Sequence, residues 1–245
     1  MVKKNSNQSF FVRKKKILII SFVILVLLTI CSVGAYSKIK ENRAKRVEAR
    51  KNSQSLVNKS NLAHQIESDI VFGDANAPVT MIEYASLSCP HCAAFYNNIF
   101  DKIKEHYIDT KKVKFIYRDF PLDKSALFAA LISSCSAKNN QNDSTKYYQL
   151  IKVLFKNQDD WAFGSDFFEK LRSLAKLRGM TEKEFTDCAN NQDLINQILQ
   201  NRLRAAQELG IDSTPTFIIG GQVIGGQRDF NAFKKIIDEK LKQVK

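Results

Sequence analysis

Apolar and polar residues follow two different periods along the chain, and each period predicts a different kind of element. Residues 79–86 and 113–117 are rich in apolar and β-prone side chains and predict two buried strands. Between them, residues 93–107 carry apolar side chains at helical spacing. A strand, a helix and a second strand in this order predict a βαβ unit with a parallel pair of strands.

The second part of the chain carries the pattern of a helical block followed by a hairpin. Residues 125–208 show helical periodicity throughout and no convincing strand. Residues 216–219 and 222–224 flank a Gly-Gly pair, which predicts a two-residue hairpin. Residues 230–241 predict an amphipathic closing helix. The expected architecture is therefore α/β, in the order βαβ, helical insertion, ββα.

The helical insertion also carries a group of aromatic residues. Trp161, Phe163, Phe167 and Phe168 are interpreted as its core and not as a cofactor site. The predicted segments of the whole chain are a basic N-terminus (1–16), an apolar segment (17–36), a polar tether (37–68), the first half of the α/β fold (69–124), the helical insertion (125–208) and the second half of the fold (209–245).

The apolar segment could cross a membrane. Residues 17–36 contain no charge and as a helix would span about 30 Å. It is either a retained transmembrane anchor, which its length favours, or a signal peptide that is cleaved near Val33, Gly34 and Ala35 after export. Cations flank the segment on both sides, so the positive-inside rule gives no clear orientation. We place the N-terminus inside, because the redox chemistry described below needs an oxidising compartment.

The net charge of +13 belongs almost entirely to the N-terminal region. Residues 1–60 hold 14 Lys and Arg against 2 Asp and Glu, whereas residues 61–245 hold 24 against 23. A nearly neutral folded part without a basic stripe argues against a nucleic-acid partner. The polar residues 37–68 show no heptad pattern, so we expect a tether and a monomeric protein.

The chemistry is concentrated in the tetrapeptide Cys89-Pro90-His91-Cys92, just past the first strand and at the start of the following helix. Unpaired backbone N–H groups and the helix dipole stabilise a thiolate there, so the pKa of Cys89 should lie well below the free value of about 8.5. Cys92 is one turn further along and shielded. We therefore expect Cys89 to attack and be attacked, and Cys92 to resolve the mixed disulfide. Pro90 suits the first helical turn, and the His91 imidazole adds a donor beside the sulfur.

Other roles for this cysteine pair fit the sequence less well. A structural zinc site needs four ligands, but no second C-x-x-C or H-x-x-x-H occurs, and neither His64 nor His106 belongs to a metal-ligand pattern. A bridge over two intervening residues constrains too little chain to serve as a purely structural disulfide. We expect no metal and no cofactor.

From Asp69 onward, about three quarters of the chain resembles the thioredoxin-like disulfide oxidoreductases of the DsbA type. The resemblance rests on residues 83–92, on the helical insertion, and on residues 213–217 before the penultimate strand. It implies a thioredoxin fold with an inserted all-helical subdomain. It also implies that Pro215 is cis and lies against the sulfurs, and that the backbone of Thr214 pairs with an extended substrate.

The same resemblance gives Glu83 a role, because the family often carries a buried acid near the second cysteine. A buried Glu83 would have a raised pKa and would accept the proton of Cys92 during resolution. A solvated strand carboxylate is the alternative, and the sequence leaves it open.

The helical insertion contains two further cysteines, Cys135 and Cys188. Exported proteins rarely leave two thiols free, and closing this 54-residue segment would stabilise the fold by roughly 4 kcal/mol. We therefore predict a structural disulfide, which resembles the second bridge of a subset of the family. Two buried free thiols remain the alternative.

The hypothesis from sequence is a thiol oxidase that introduces disulfides into unfolded, reduced exported proteins through Cys89 and Cys92. It would be periplasmic, either anchored in the inner membrane or soluble after signal cleavage. The resemblance implies a quinone-linked membrane oxidase of the DsbB type as partner. A disulfide isomerase or reductase is the runner-up, because Thr is frequent before the proline in isomerases, but the tether offers no dimerisation domain. A non-catalytic peptide-binding holdase is the third alternative.

Overall fold

The chain divides into two compact units, Met1–Leu56 and Val57–Lys245. In the first unit the described residues are helical, and Lys45 Nζ lies 2.6 Å from Glu41 Oε1. The predicted membrane segment at 17–36 lies outside the described residues, and none of the helices within them is long and apolar enough to span a bilayer. The computed structural model describes residues 38, 40–41, 43, 45–48, 64–65, 69–139 and 144–244.

A five-stranded sheet lies at the centre of the second unit. Its strands are β1 (Val71–Phe72), β2 (Val79–Ala85), β3 (Val113–Asp119), β4 (Thr216–Ile219) and β5 (Gln222–Gly225). Their spatial order is β1-β3-β2-β4-β5, in which β2 and β3 are parallel and every other neighbouring pair is antiparallel. The sequence pattern predicted the parallel pair and the final hairpin, but not the two-residue edge strand β1.

The helices surround this sheet in the predicted order. They are α1 (Pro90–Phe95, continued by π-helical turns at Tyr96–Phe100, an α-helical turn at Asp101–Ile103 and π-helical turns at Lys104–Ile108), α2 (Lys124–Asn139), α3 (Ser144–Lys156), α4 (Gln158–Trp161), α5 (Phe167–Leu177), α6 (Glu182–Ala189), α7 (Gln192–Leu209) and α8 (Phe230–Gln243). Helices α2 to α7 form the insertion between β3 and β4. The order βαβ, helical insertion, ββα is therefore confirmed.

The two faces of the sheet pack against different helices. On β2, Met81 and Ala85 belong to the large core cluster that also contains residues of α1, α3 and α8. Ile82 and Tyr84 belong to a smaller cluster, which contains residues of α7. Because successive side chains of a strand point to opposite faces, Glu83 points into the larger core, on the side of α1.

The insertion has its own core and its own capping. Trp161 is fully buried, and its Nε1 donates a hydrogen bond to the Leu154 carbonyl at 2.9 Å. Helix α6 begins with a capping box, in which the side chains of Thr181 and Glu184 each bond to the other's backbone. The interpretation of Phe163 as a core residue was wrong: this side chain is 60% exposed, in the connection after α4. The helical pattern that suggested a buried Phe163 does not apply there, because this residue lies between two helices.

The second half of the fold returns the chain to the sheet. Gly220 and Gly221 connect β4 to β5 with φ angles of 51° and 80°, which residues with a Cβ rarely adopt. Helix α8 starts at Asp229, whose side chain accepts a hydrogen bond from the Ala232 N–H at 2.8 Å. Pro215 precedes β4 directly and thus lies at the end of β4 that pairs with Tyr84, close to the end of β2.

Candidate active site

Cys89 occupies the N-cap of α1, shortly after β2 ends. Its backbone is extended (φ −81°, ψ 119°), and Pro90 takes the first helical position. The Cys89 N–H donates to the Ser86 carbonyl at 3.0 Å, and the Cys89 carbonyl accepts the first intrahelical bond, from Ala93 N–H, at 3.1 Å. This is the N-cap geometry in which the unpaired N–H groups of the first turn face the side chain of the cap.

Hydrogen-bond donors surround the Cys89 sulfur. A hydrogen bond from the Cys92 thiol lowers the pKa of Cys89 most, and the Thr214 side chain and the backbone N–H groups of Cys92 and His91 lower it further. Burial acts in the opposite direction, yet the pKa falls from 9.0 to about 5. Cys89 is therefore a thiolate at neutral pH, which is the nucleophilic form of cysteine.

Cys92 lies one helical turn further into the core, with no exposed surface. Burial raises the pKa of its thiol, and the hydrogen bond that it donates to Cys89 and the negative charge of Glu83 raise it further. The two sulfurs are not bonded in this structure, which represents the reduced pair. One cysteine is thus ionised while its neighbour keeps its proton, which is the asymmetry that the sequence predicted.

His91 acts on Cys89 through its backbone. Its imidazole is exposed and makes no hydrogen bond to a described residue, and the expected ring donor beside the sulfur stays a prediction. The donor that the structure places at the sulfur is the backbone N–H of His91. The second residue of a helix directs its N–H toward the cap while its side chain points outward.

Glu83 is fully buried on β2, opposite Tyr117 of β3 and Phe217 of β4. Neither of its carboxyl oxygens has a hydrogen-bond partner among the described residues. Burial raises the pKa of Glu83 well above its usual range, the neighbouring Tyr96 hydroxyl, which does not meet hydrogen-bond geometry, opposes this in part, and the negative charge of Cys89 adds to it. Of the two alternatives left open by the sequence, the structure has the buried acid, close enough to raise the pKa of Cys92.

Thr214 and Pro215 lie against the active-site sulfur. The peptide bond between them is cis, the isomer that the resemblance implied. The Cys89 Sγ lies 3.3 Å from the Thr214 carbonyl oxygen, to which the protonated thiol donates, and the Pro215 carbonyl accepts a hydrogen bond from Gly226 N–H at 2.9 Å. The loop before β4 therefore places the backbone of Thr214 directly beside Cys89.

Comparison with known proteins identifies the family of this site. A family model described as thioredoxin matches residues 65–239. The crystal structure of alpha-DsbA1 from Wolbachia pipientis is 33% identical, with a TM-score of 0.68 over 74% of this chain and 94% of that chain. The chain belongs to the DsbA-like branch of the thioredoxin family. The thioredoxin-like fold with a helical insertion, which the resemblance implied, is thereby confirmed.

Two further proteins resemble this chain over most of its length. The crystal structure of oxidised BdbD from Bacillus subtilis is 27% identical, with a TM-score of 0.65 over 73% of this chain and 95% of that chain. A putative protein-disulfide oxidoreductase of Rickettsia conorii is 30% identical over 73% of this chain. The match spans 62% of that relative's length, and 55% of the length of the corresponding protein of Rickettsia prowazekii.

Sequence analysis missed two polar contacts that hold the DsbA-like active-site loop. The Gln158 side chain, in α4, donates from Nε2 to the carbonyls of Leu87 and Cys89, at 2.8 and 3.0 Å. The Ser88 hydroxyl donates to Asp123 Oδ2 at 2.6 Å. Both partners lie in the insertion or at its start, more than 30 residues from the loop in sequence. The sequence held one signal for each contact. Gln158 is polar where the helical pattern expects an apolar side chain, and Asp123 is polar at a helix-capping position.

The remaining predicted site residues lie in the insertion. Cys135 and Cys188 form a disulfide that links α2 to α6, with an S–S distance of 2.04 Å and a Cα–Cα distance of 6.1 Å. Within the described ranges, no three His, Cys, Asp or Glu side chains lie close enough together to hold a metal ion. Among the described residues of the second unit, only Cys89 and Cys92 are therefore free thiols.

Proposed function

We propose that this protein is a thiol:disulfide oxidase, which introduces disulfide bonds into exported proteins by exchange through Cys89 and Cys92. The observation that carries the proposal is the position of Cys89 at the N-cap of α1, with Cys92 one turn further along, where hydrogen bonding to the sulfur lowers the pKa of Cys89 to about 5. Groups that stabilise the Cys89 thiolate stabilise the reduced enzyme, and a stable reduced form makes the oxidised form a strong oxidant.

The reaction balances without a cofactor. A substrate thiolate attacks the Cys89 sulfur of the oxidised enzyme, the Cys89–Cys92 bond breaks, and Cys92 leaves and takes up a proton. Glu83 is the neighbouring group that supplies this proton, and in the reverse direction accepts it. A second substrate thiolate then attacks the substrate sulfur of the mixed disulfide and releases Cys89 as a thiolate. The substrate has lost two electrons and the enzyme has gained them.

Two exposed apolar side chains, in segments that hold the active-site loop by hydrogen bonds, support an unfolded protein as substrate. Leu122 is 48% exposed, and its N–H donates to the hydroxyl of Ser86, next to the loop. Phe163 is 60% exposed and directly follows Ala162, whose carbonyl accepts a hydrogen bond from Ser125. Unfolded chains expose the apolar side chains that these two residues would contact, whereas folded proteins bury most of theirs.

The location and partners follow from the same chemistry. Net disulfide donation requires an oxidising compartment, and residues 17–36 would export the chain there, as an inner-membrane anchor or as a cleaved signal. The two electrons gained in each cycle must leave, and a quinone-linked membrane oxidase of the DsbB type is the acceptor we propose. We propose a monomer, since the tether carries no pattern for dimerisation. Mass spectrometry of the mature N-terminus would distinguish anchor from signal.

Equilibration of the full-length protein with glutathione tests the oxidase assignment. We expect a reduction potential between those of protein disulfide isomerase and DsbA, about −180 to −120 mV. A potential near that of thioredoxin, about −270 mV, would contradict the assignment and favour a reductase. Efficient refolding of scrambled ribonuclease would instead favour an isomerase. Cys89→Ser should abolish disulfide donation, and full retention of function by this variant would indicate a holdase.

A further inference from the structure

The side chain of Gln158 crosses from the helical insertion to the active-site loop. Gln158 is 3% exposed, and its single amide nitrogen donates to two main-chain carbonyls, of Leu87 at 2.8 Å and of Cys89 at 3.0 Å. These carbonyls flank Ser88 immediately before α1. A buried glutamine that uses both amide hydrogens on the backbone of the active-site loop, one of them on the nucleophile's own carbonyl, is positioned to control that backbone.

The Cys89 carbonyl receives two hydrogen bonds, from Gln158 and from the Ala93 N–H at 3.1 Å. A carbonyl oxygen has two lone pairs, so both are engaged and the peptide plane after Cys89 is fixed. The orientation of this plane determines where the N–H groups of His91 and Cys92 point relative to the sulfur. Its rotation would change the ψ angle of Cys89, which is 119°, and would move these donors away from the sulfur.

We propose that Gln158 is a positioning residue of the active site, whose amide fixes the peptide plane after Cys89 and so keeps the backbone donors directed at the sulfur. The proposal deepens the proposed oxidase function and rests on it. It gives the helical insertion a part in setting the redox equilibrium of the thioredoxin half. Gln158 touches no substrate and acts only through Cys89.

Helix α4 does not depend on the Gln158 side chain for its own placement. The buried Trp161 anchors α4 to α3 through its bond to the Leu154 carbonyl. The Ser125 hydroxyl bonds to the Ala162 carbonyl at 2.8 Å, and the Ala162 N–H bonds to the Gln158 backbone carbonyl at 2.8 Å. Removing the Gln158 amide group should therefore leave α4 in place and free only the loop.

The test compares Gln158→Met with the wild type in the full-length reduced protein. Methionine keeps the length of the side chain and removes both donors. The rate of alkylation of the peptide that contains Cys89, followed against pH by mass spectrometry, gives the ionisation midpoint of Cys89. Reading this peptide separates its signal from those of the other cysteines of the chain, and Cys92 is buried and protonated. We expect this midpoint to rise by about one pH unit in Gln158→Met, and the equilibrium with glutathione to shift about tenfold toward the oxidised protein, or about 30 mV.

Tyr148→Phe is the control, because it removes the hydrogen bonds that the Tyr148 hydroxyl of α3 makes with the Tyr117 N–H and the Ile70 carbonyl, without touching α4 or the active-site loop. It should lower the free energy of unfolding and leave the Cys89 midpoint unchanged. If Gln158→Met also loses stability without moving the midpoint, the role of Gln158 is structural and the proposal is wrong. If Gln158→Met does not fold, Gln158→Ala replaces it. In Gln158→Ala, water can bind the two freed carbonyls but does not fix their orientation. A smaller rise in the Cys89 midpoint is therefore expected, and an unchanged midpoint would overturn the proposal.

The wild-type measurement separates this inference from the proposed function. A wild-type midpoint near 9 together with a potential like that of thioredoxin would remove the oxidase assignment itself. An acidic wild-type Cys89 whose midpoint is the same in the Gln158 variants would leave the oxidase assignment intact and remove only the role of Gln158.

Discussion

Replacement of Glu83 by methionine should make the protein more stable and less active. Glu83 has no exposed surface, and neither carboxyl oxygen has a described hydrogen-bond partner. A buried polar group without a hydrogen bond costs about 1–3 kcal/mol. Methionine is unbranched and adapts to irregular gaps, so Glu83→Met should gain about 1–2 kcal/mol in the free energy of unfolding after some loss to imperfect fit. For a chain of this size the melting temperature would rise by about 2–8 °C.

The increase in the free energy of unfolding that Glu83→Met shows over the wild type should also depend on pH. Burial raises the pKa of Glu83, so the folded protein keeps this proton at pH values where the unfolded chain has lost it. The unfolded state then binds fewer protons than the folded state, and the stability of the wild type falls as pH rises above the ordinary value of Glu. Glu83→Met has no such group. The difference between the two proteins should therefore be smallest near about pH 4 and larger at about pH 8.

Urea denaturation of the reduced proteins across this pH range measures both effects. Glu83→Gln is the control, because it keeps a buried polar group but cannot ionise; it should lose the pH-dependent part of the difference and retain the cost of unpaired polar atoms. Both variants should slow the steps in which Cys92 gains or loses its proton. A Glu83→Met protein that is less stable than the wild type at every pH would refute the assignment of Glu83 as a buried, unpartnered acid.

Two further predictions concern the stability of the fold. Replacing Cys135 and Cys188 together by Ala should lower the free energy of unfolding by about 4 kcal/mol, from the sequence separation of 53 residues, while the alkylation midpoint of Cys89 stays unchanged; guanidinium denaturation measures the loss. Burial raises the pKa of Asp119 to about 7, so this residue should add to the contribution of Glu83 a further loss of wild-type stability between about pH 4 and 7, with a slope of its own approaching about 1.4 kcal/mol per pH unit. Thermal melts should show this slope reduced in Asp119→Asn but kept in Asp159→Asn, an exposed control; equal slopes in all three proteins would contradict it.

Features that depend on a few consecutive residues could be predicted from the sequence. The strands β2 and β3 follow from runs of apolar, β-branched and aromatic residues, and the β4–β5 hairpin follows from Gly220 and Gly221, whose positive φ angles suit glycine. The place of Cys89 at a helix start follows from Pro90, which fits the first turn. In each case the physical cause lies within a short stretch of chain.

Features that depend on contacts between distant segments could not be predicted from the sequence. The bonds from Gln158 to the loop join positions 69 and 71 residues apart, and no periodicity encodes such a pair. The burial of Glu83 depends on how β3, β4 and α1 pack around it. Strand β1 has only two residues, which is too short for any pattern to show. We assigned the role of His91 to its imidazole ring, because a sequence gives the side chains but not the direction of the backbone N–H groups.

The C-x-x-C spacing itself gives the two sulfurs opposite chemistry. Residues three apart lie on one face of a helix, and helical side chains lean toward the N-terminus, so the Cys92 thiol reaches the sulfur at the cap. Cys89 lies at the open helix end with its unpaired N–H groups, whereas Cys92 lies inside, beside Glu83. One residue more or fewer would turn the second sulfur by about 100° around the helix and break this contact. Pro90 and His91 then contribute through the backbone, Pro90 by beginning the helix without needing an N–H partner and His91 by directing its N–H at the thiolate.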